Sequence, residues 1–414
     1  MASKFQAPRG TFDVLPEAAR SRSLLEGAAA TVFARAGYEP IATPAFEDTA
    51  LFERGVGQST DIVRKEMFTF EDKGGRSLTL RPEGTASICR AYLEHGMHKL
   101  AQPVKLSYLG PFFRHERPQA GRYRQFHQLG AECIGTDSPL ADAEVIMLLS
   151  DLLGELGVPG VELRLGSLGS FEARRAYLED LKAHLHANEG ELSKDVRERI
   201  DINPLRAFDA DDEGTRGVMA SAPTIVGQLQ GEDAEHFAEV RSLLDAAGIS
   251  YTVDPTLVRG LDYYTRTIFS FVCDQLGAQS EIGGGGRYDG LIEQLGGPAT
   301  PAVGFAAGIE RILLALDEEV SGAGRDVFVA VADPGQRARA MALTVELRHA
   351  GISTEVDLAG RGLKGQLKHA DRIGARRVLI LEAEGGAQLR DMETGEQRAA
   401  DPGKLLDEMT GGKL

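Results

Sequence analysis

A regular alternation of apolar strands and amphipathic helices is confined to the last ninety residues. There the run VFVAVA is followed by a helix over Gly335–Ala350 and a strand over Ser353–Val356. A helix over Leu363–Ile373 and a strand over Arg377–Leu381 complete the pattern. Strand and helix periods taking turns in this way predict a small α/β domain with a largely parallel sheet. The first 324 residues follow another plan. A helix over Pro16–Ala36 leads into GYEPIATPAFED, a hairpin-like MFTFEDKGGRSLTLRPE and a helix over Thr85–His95, with later strands near Thr265–Cys273 and Ser280–Gly283. AVGFAAGIERILLAL (302–316) reads as a short strand running into a helix with Ile309, Ile312, Leu313 and Leu316 on its buried stripe and Arg311 off it. This part is predicted to be α+β, built on an antiparallel sheet. Residues 172–248, helical in period and acidic, read as an insertion into it. The Ser-, Gly- and charge-rich LDEEVSGAGRDV places a domain boundary near Ala323, giving domains of 1–322 and 325–414.

Charge sharpens that division. The chain of 414 residues carries a net −16, yet from Arg325 onward 14 basic residues balance 14 acidic ones, so the first 324 hold the whole excess. With 42 % hydrophobic residues the chain can bury two or three cores. Cys89, Cys133 and Cys273 are odd in number and far apart, which argues against a disulfide framework and against a cysteine zinc site, and favours a reducing compartment. The N-terminal MASKFQAPRGTFDVLP lacks the apolar run of a signal peptide, and no stretch has eighteen uninterrupted apolar residues; a cytoplasmic protein without a membrane span is expected. No internal repeat or low-complexity segment is visible.

Within this acidic chain, GPFFRHERPQAGRYRQFHQLGAE (110–132) gathers four Arg and two His against two Glu. Read with a period of two, Arg124, Phe126, Gln128, Gly130 and Glu132 share one face of a strand, and Gln125, His127, Leu129, Ala131 and Cys133 share the other. Neither face has the plain apolar character of a core strand. The preceding KLSYLGPFFR puts Arg114 on a face with Leu106, Tyr108, Gly110 and Phe112. A hairpin of this kind can floor an anionic ligand, with Arg for phosphate, Phe for a flat base, and Gln and Glu for cationic or hydrogen-bonding groups. The chain has neither a GxxxxGK[ST] loop nor a GxGxxG opening a helix after a strand, which disfavours the common parallel-sheet nucleotide folds. GGGGRYDG (283–290) lacks dinucleotide spacing and is better suited to close backbone approach to a substrate.

Taken together, FRHE with RQFHQLGAE, and GIER before an apolar helix, resemble motifs 2 and 3 of the class II aminoacyl-tRNA synthetases. GYEPIATPAFED, with Pro44, resembles motif 1. LVRGLDYYTRTIF (257–269) and GGGGRYDGL (283–291) resemble the two signatures peculiar to the histidyl-tRNA synthetase family, RPEGT (81–85) also matches, and the whole resemblance runs in family order from about Phe5 to about Glu382. The last ninety residues resemble the anticodon-binding domain shared by several class II enzymes.

The resemblance implies a histidine–tRNA ligase: ATP and histidine give histidyl-adenylate and pyrophosphate, and the histidyl group passes to the 3′ end of tRNA(His). It implies that Arg114 holds the α-phosphate, Glu116 the adenine edge, and that Phe126 and Arg311 sandwich the base. Glu83, Thr85 and Gln128 would take the α-amino group, Glu132 and Tyr264 the two imidazole nitrogens, with Tyr263 and Tyr288 completing the pocket. Arg259 would stand between the attacking carboxylate and the α-phosphate, where a fixed cation lowers the barrier. Magnesium would accompany ATP, with no protein ligand evident. Motif 1 implies a homodimer. Two basic patches suit tRNA: Arg117, Gln119, Arg122 and Arg124 in the hairpin loop, and Lys364, Lys368, Arg372 and Arg376, which would form one stripe if their segment stayed helical. Two other readings remain: a catalytically silent, histidine-sensing regulatory subunit of histidine biosynthesis, and an amino-acid ligase acting without tRNA.

Overall fold

A computed structural model describes residues 5–58, 60–316, 324–401 and 404. The chain divides into two compact units, Met1–Val320 and Ser321–Leu414; the boundary anticipated near Ala323 lies outside the described residues.

The first unit is built on an eight-stranded sheet. Its strands run in the order Glu39–Pro40, Val104–Phe113, Gln125–Ile134, Ala302–Gly308, Glu281–Arg287, Thr265–Cys273, Val161–Ser167 and Thr252–Val253. All neighbours are antiparallel except the pair at each edge. The two ten-residue hairpin strands pair in unbroken register, Leu106 opposite Glu132, Tyr108 opposite Gly130, Gly110 opposite Gln128 and Phe112 opposite Phe126. The face anticipated from the period of two is therefore continuous across both strands.

The opposite face departs from expectation. Leu129, Ala131 and Cys133 are buried in the main core beneath the helices Pro16–Arg35, Pro139–Glu155, Gly231–Ala246 and Ile309–Leu316. The sequence hid this because only its outer end, Gln125 and His127, is polar, and that end is met by Glu310, which accepts from the His127 backbone N–H at 2.9 Å. Leu149 and Leu152, both fully buried, face the same core, each contributing about 1.5–3 kcal/mol of burial free energy. Two elements of this layer, Pro139–Glu155 and Val161–Ser167, had not been singled out in the sequence.

A three-stranded sheet (Phe46–Asp48, Ser77–Leu80, Phe68–Glu71) flanks the unit. Residues 171–228 form the helix Phe171–Ala187 and several short helices around their own core of Tyr177, Leu181, Leu185, Ile200 and Ile225. The helix Gly231–Ala246 instead contributes Phe237, Val240 and Leu244 to the main core.

The second unit has a five-stranded sheet in the order Thr354–Val356, Val327–Val331, Arg377–Leu381, Ala387–Asp391, Gln397–Ala399. The first three strands are parallel, as expected; the last two are antiparallel additions that the sequence pattern did not reveal. Helix Arg337–His349 covers one face and Leu363–Arg372 the other. Buried Gln366 fixes the second helix: its side-chain amide accepts from the Val331 N–H at 2.7 Å and donates to the Val331 carbonyl at 2.9 Å.

Candidate active site

The polar face of the hairpin floors a cleft of about 630 Å³ in the first unit. Its lining brings together Glu83, Thr85, Arg114, Glu116, Phe126, Gln128, Arg259, Tyr263, Tyr264, Tyr288 and Arg311, which the sequence scatters over more than two hundred positions.

At the inner end Glu132 is fully buried and accepts from the Thr85 hydroxyl at 2.8 Å and the Tyr288 hydroxyl at 2.6 Å. Burial pushes its carboxyl up to about 8, against the pull of those two hydrogen bonds. Gly304, on the neighbouring strand, leaves room for this carboxylate: a Cβ there would overlap Glu132 Oε2. Glu83 caps the helix Thr85–Glu94, accepting from the backbone N–H groups of Thr85 at 2.8 Å and Ala86 at 2.9 Å, and from the Tyr263 hydroxyl at 3.3 Å. Burial still raises its carboxyl above the ordinary range. The rings of Tyr263 and Tyr264 lie 4.7 Å apart and those of Tyr263 and Tyr288 5.7 Å apart, so the three tyrosines form one wall. The side-chain oxygen of Gln128, a residue of the cleft lining, is buried without a hydrogen-bond partner, an unmet acceptor.

At the outer end the guanidinium of Arg114 lies over the Phe126 ring, 5.4 Å from its centroid, and its Nε donates to the Pro82 carbonyl at 2.9 Å. Arg311, which helical period left off the buried stripe, turns into the cleft and donates to the carbonyls of Gly121 at 3.0 Å and Glu281 at 2.7 Å. Glu116 pairs with Arg122 at 2.8 Å. Arg259 sits between the two ends and pairs with Glu281 at 2.6 Å. Its desolvation disfavours the charge, but Glu281 beside it more than compensates and raises its pKa.

The glycine-rich strand is shaped by the same crowding. A Cβ on Gly284 would lie 2.8 Å from Arg259 Nη1, and one on Gly286 3.0 Å from the Tyr264 ring. Arg287, fully buried, anchors the strand through Asp142, which also meets His236 at 3.3 Å. Nothing in the sequence connects residues 145 positions apart, and this buried ion pair had no sequence signal. Arg81 of RPEGT likewise ties the GYEPIATPAFED segment to the hairpin, donating to the carbonyls of Thr43 at 2.8 Å and Pro111 at 2.9 Å.

Of the hairpin-loop residues, Arg117 and Gln119 are exposed, whereas Arg122 is engaged by Glu116 and Arg124 packs its stem on Gly10. The second basic patch is interrupted. Lys364, Lys368 and Arg372 are exposed on one helix, but that helix ends at Arg372 before Gly374, whose φ of +66° terminates it, and Arg376 lies beyond, 3.4 Å from Asp326. The single four-residue stripe is thus reduced to three residues. Among the described residues no group of three or more His, Cys, Asp or Glu side chains is placed to hold a metal ion, and no helix is long and apolar enough to cross a membrane.

The histidyl-tRNA synthetase family model matches residues 10–312. The chain belongs to the histidyl-tRNA synthetase family. An anticodon binding domain model matches residues 326–411, so the second unit is the anticodon-binding domain of such a chain. Among the relatives, a histidine–tRNA ligase of Halothermothrix orenii is 48 % identical over 412 residues, covering 98 % of both chains. One from Rubrobacter xylanophilus is 47 % identical over 412 residues, covering 96 % of this chain and 97 % of its own. The crystal structure of apo S. aureus histidyl-tRNA synthetase matches with a TM-score of 0.82 at 36 % identity, over 98 % of this chain and 99 % of that one. A Bacillus halodurans protein described as an ATP phosphoribosyltransferase regulatory subunit/histidyl-tRNA synthetase shares the fold, with a TM-score of 0.68 at 24 % identity and 92 % of this chain covered. The family's two histidine signatures are the segments that build the tyrosine wall and the glycine strand.

Proposed function

We propose that the cleft activates histidine with ATP and transfers it to tRNA(His). The observation that carries this reading is the chemistry of the inner pocket. Buried Glu132, held by Thr85 and Tyr288, meets one imidazole nitrogen, and Tyr264 the other. A ligand lacking those nitrogens would leave two buried polar groups unpaired, at about 1–3 kcal/mol each. Glu83, Thr85 and Gln128 take the α-amino group, and the unmet Gln128 oxygen suits that donor.

Arg114 and Arg311 bind the phosphates, Phe126 and Arg311 enclose the adenine, and Glu116 reads its edge, exchanging its contact with Arg122 for the base. Arg259 bridges the histidine carboxylate and the α-phosphate, opposing the repulsion between two anions as the new phosphorus–oxygen bond forms and pyrophosphate leaves. Magnesium arrives with ATP as part of that substrate. The first unit carries this chemistry; the second holds the anticodon end of the tRNA, with Lys364, Lys368 and Arg372 as its phosphate contacts, while Arg117 and Gln119 meet the acceptor end.

A homodimer is supported by the flanking sheet, where Phe46 and Phe70 are 49 % and 43 % exposed with rings 6.2 Å apart, beside the Pro44 segment. Three buried, unpaired cysteines accord with a cytoplasmic protein. A histidine-sensing regulatory subunit would need the inner pocket but not Arg259 and Arg311 in the cleft. The test is histidine-dependent ATP–pyrophosphate exchange. The ligase gives exchange that requires histidine, and a silent sensor binds histidine without exchange.

A further inference from the structure

Resting on the reading of Arg259 above, we infer that Glu281 is the positioning residue that sets this arginine for its step. Glu281 belongs to none of the recognised signatures, and ordinary strand alternation would aim it elsewhere. Across the neighbouring strand Glu281 stands opposite Val272 and Gly283 opposite Phe271, so Ile282 is the extra residue of a β-bulge. In regular alternation Glu281 would share a face with Gly283, which stands opposite Phe271, a residue of the main core. The bulge turns Glu281 to the face of Ser270 and Gly284, which is the cleft.

Three contacts converge there. Glu281 Oε2 accepts from Arg259 Nη1 at 2.6 Å and from the Ser270 hydroxyl at 3.0 Å, and the Glu281 backbone carbonyl accepts from Arg311 Nη1 at 2.7 Å. The Glu281 side chain is 42 % exposed at the cleft mouth, so desolvation opposes its charge only in part, and Arg259 and the Ser270 hydroxyl hold its carboxyl below the ordinary range. The Arg259 side chain is only 13 % exposed, and its Nε is buried with no hydrogen-bond partner. One edge of the guanidinium is thus fixed by Glu281 through Nη1, while the buried Nε is left without a partner in the ligand-free chain. The Tyr264 ring centroid lies 5.9 Å from the guanidinium carbon, and Gly284, having no Cβ, leaves the space that Arg259 Nη1 occupies beside Glu281. An exposed ion pair contributes little, whereas one that orients a buried group bearing an unmet donor has a positional role. A group misplaced by about 1 Å can cost on the order of 10²-fold in rate.

The experiment is a double-mutant cycle in the full chain: Arg259→Ala, Glu281→Ala, Glu281→Gln and Arg259→Ala/Glu281→Ala, read by histidine-dependent pyrophosphate exchange with thermal melts as folding controls. Glu281→Ala is expected to lower kcat by roughly 10–100-fold with KM for histidine changed less than about threefold. Glu281→Gln, which keeps an acceptor but not the charge, should fall between. In the Arg259→Ala background, removal of Glu281 should cost nothing further, a result that a merely structural residue would not give. Wild-type kcat in Glu281→Ala, or an equal loss in both backgrounds, overturns the proposal while leaving the role of Arg259 intact. Normal exchange in Arg259→Ala overturns both.

Discussion

Replacing Glu132 by Gln should make the ligand-free protein more stable at neutral pH and, at the same time, nearly useless towards histidine. The buried carboxyl sits at about 8 in the folded state against 4.5 ordinarily. A raised acid pKa means that the folded state holds a proton the unfolded chain has released. The contribution of Glu132 is therefore fully present below about pH 4.5 and is lost as pH rises through 8. Each pH unit in that window removes about 1.4 kcal/mol, so the wild type has lost roughly 3 kcal/mol at pH 7. Glutamine is neutral throughout and can keep partners in both Thr85 and Tyr288. The thermal midpoint of the Gln variant relative to wild type should be unchanged near pH 5, rise by several degrees towards pH 8, and level off above it. In exchange assays the same variant should raise KM for histidine by roughly 10–100-fold, because an amide cannot ionise to form the charged hydrogen bond that the carboxyl makes once imidazole is bound. KM for ATP should be little changed. A stability difference that is flat with pH would refute the buried-carboxyl reasoning.

Arg259→Ala should slow adenylate formation by about 10²–10³-fold with small changes in ATP and histidine affinity, measured by single-turnover exchange; a normal rate would remove its assigned role. Gly304→Ala should abolish histidine-dependent exchange in a protein that still folds, because the added methyl meets the Glu132 carboxylate; retained activity would mean that the pocket can yield. Residues 1–322 alone should still exchange pyrophosphate but bind tRNA roughly 10²-fold more weakly, with Lys364, Lys368 and Arg372 changed together to Ala giving part of that loss. Undiminished charging by the truncated chain would contradict the role of the second unit. Light scattering at micromolar concentration should report twice the 44.5 kDa of the chain; the monomer mass would contradict dimerisation.

Much of this architecture was legible because local signals agreed. The Arg377–Leu381 strand has the bounds its apolar run suggested, and the hairpin face from Arg124 to Glu132 emerged from alternation alone. What escaped depends on long-range partners. Leu129, Ala131 and Cys133 form a core face only because four helices cover them, and His127 is tolerated beside them only because Glu310 meets it. The continuous basic stripe failed at Gly374, whose left-handed backbone ends the helix before Arg376. Arg287 with Asp142 and Glu281 with Arg259 are pairs made by tertiary structure, the second through a one-residue bulge that periodicity does not register.

The most direct measurement is aminoacylation of purified tRNA(His) by the full chain, offered each of the twenty amino acids with ATP. Histidine alone should be attached to the 3′ end, with pyrophosphate formed in step. Charging with another amino acid, or histidine-dependent exchange with no product on tRNA, would contradict the assignment of the cleft.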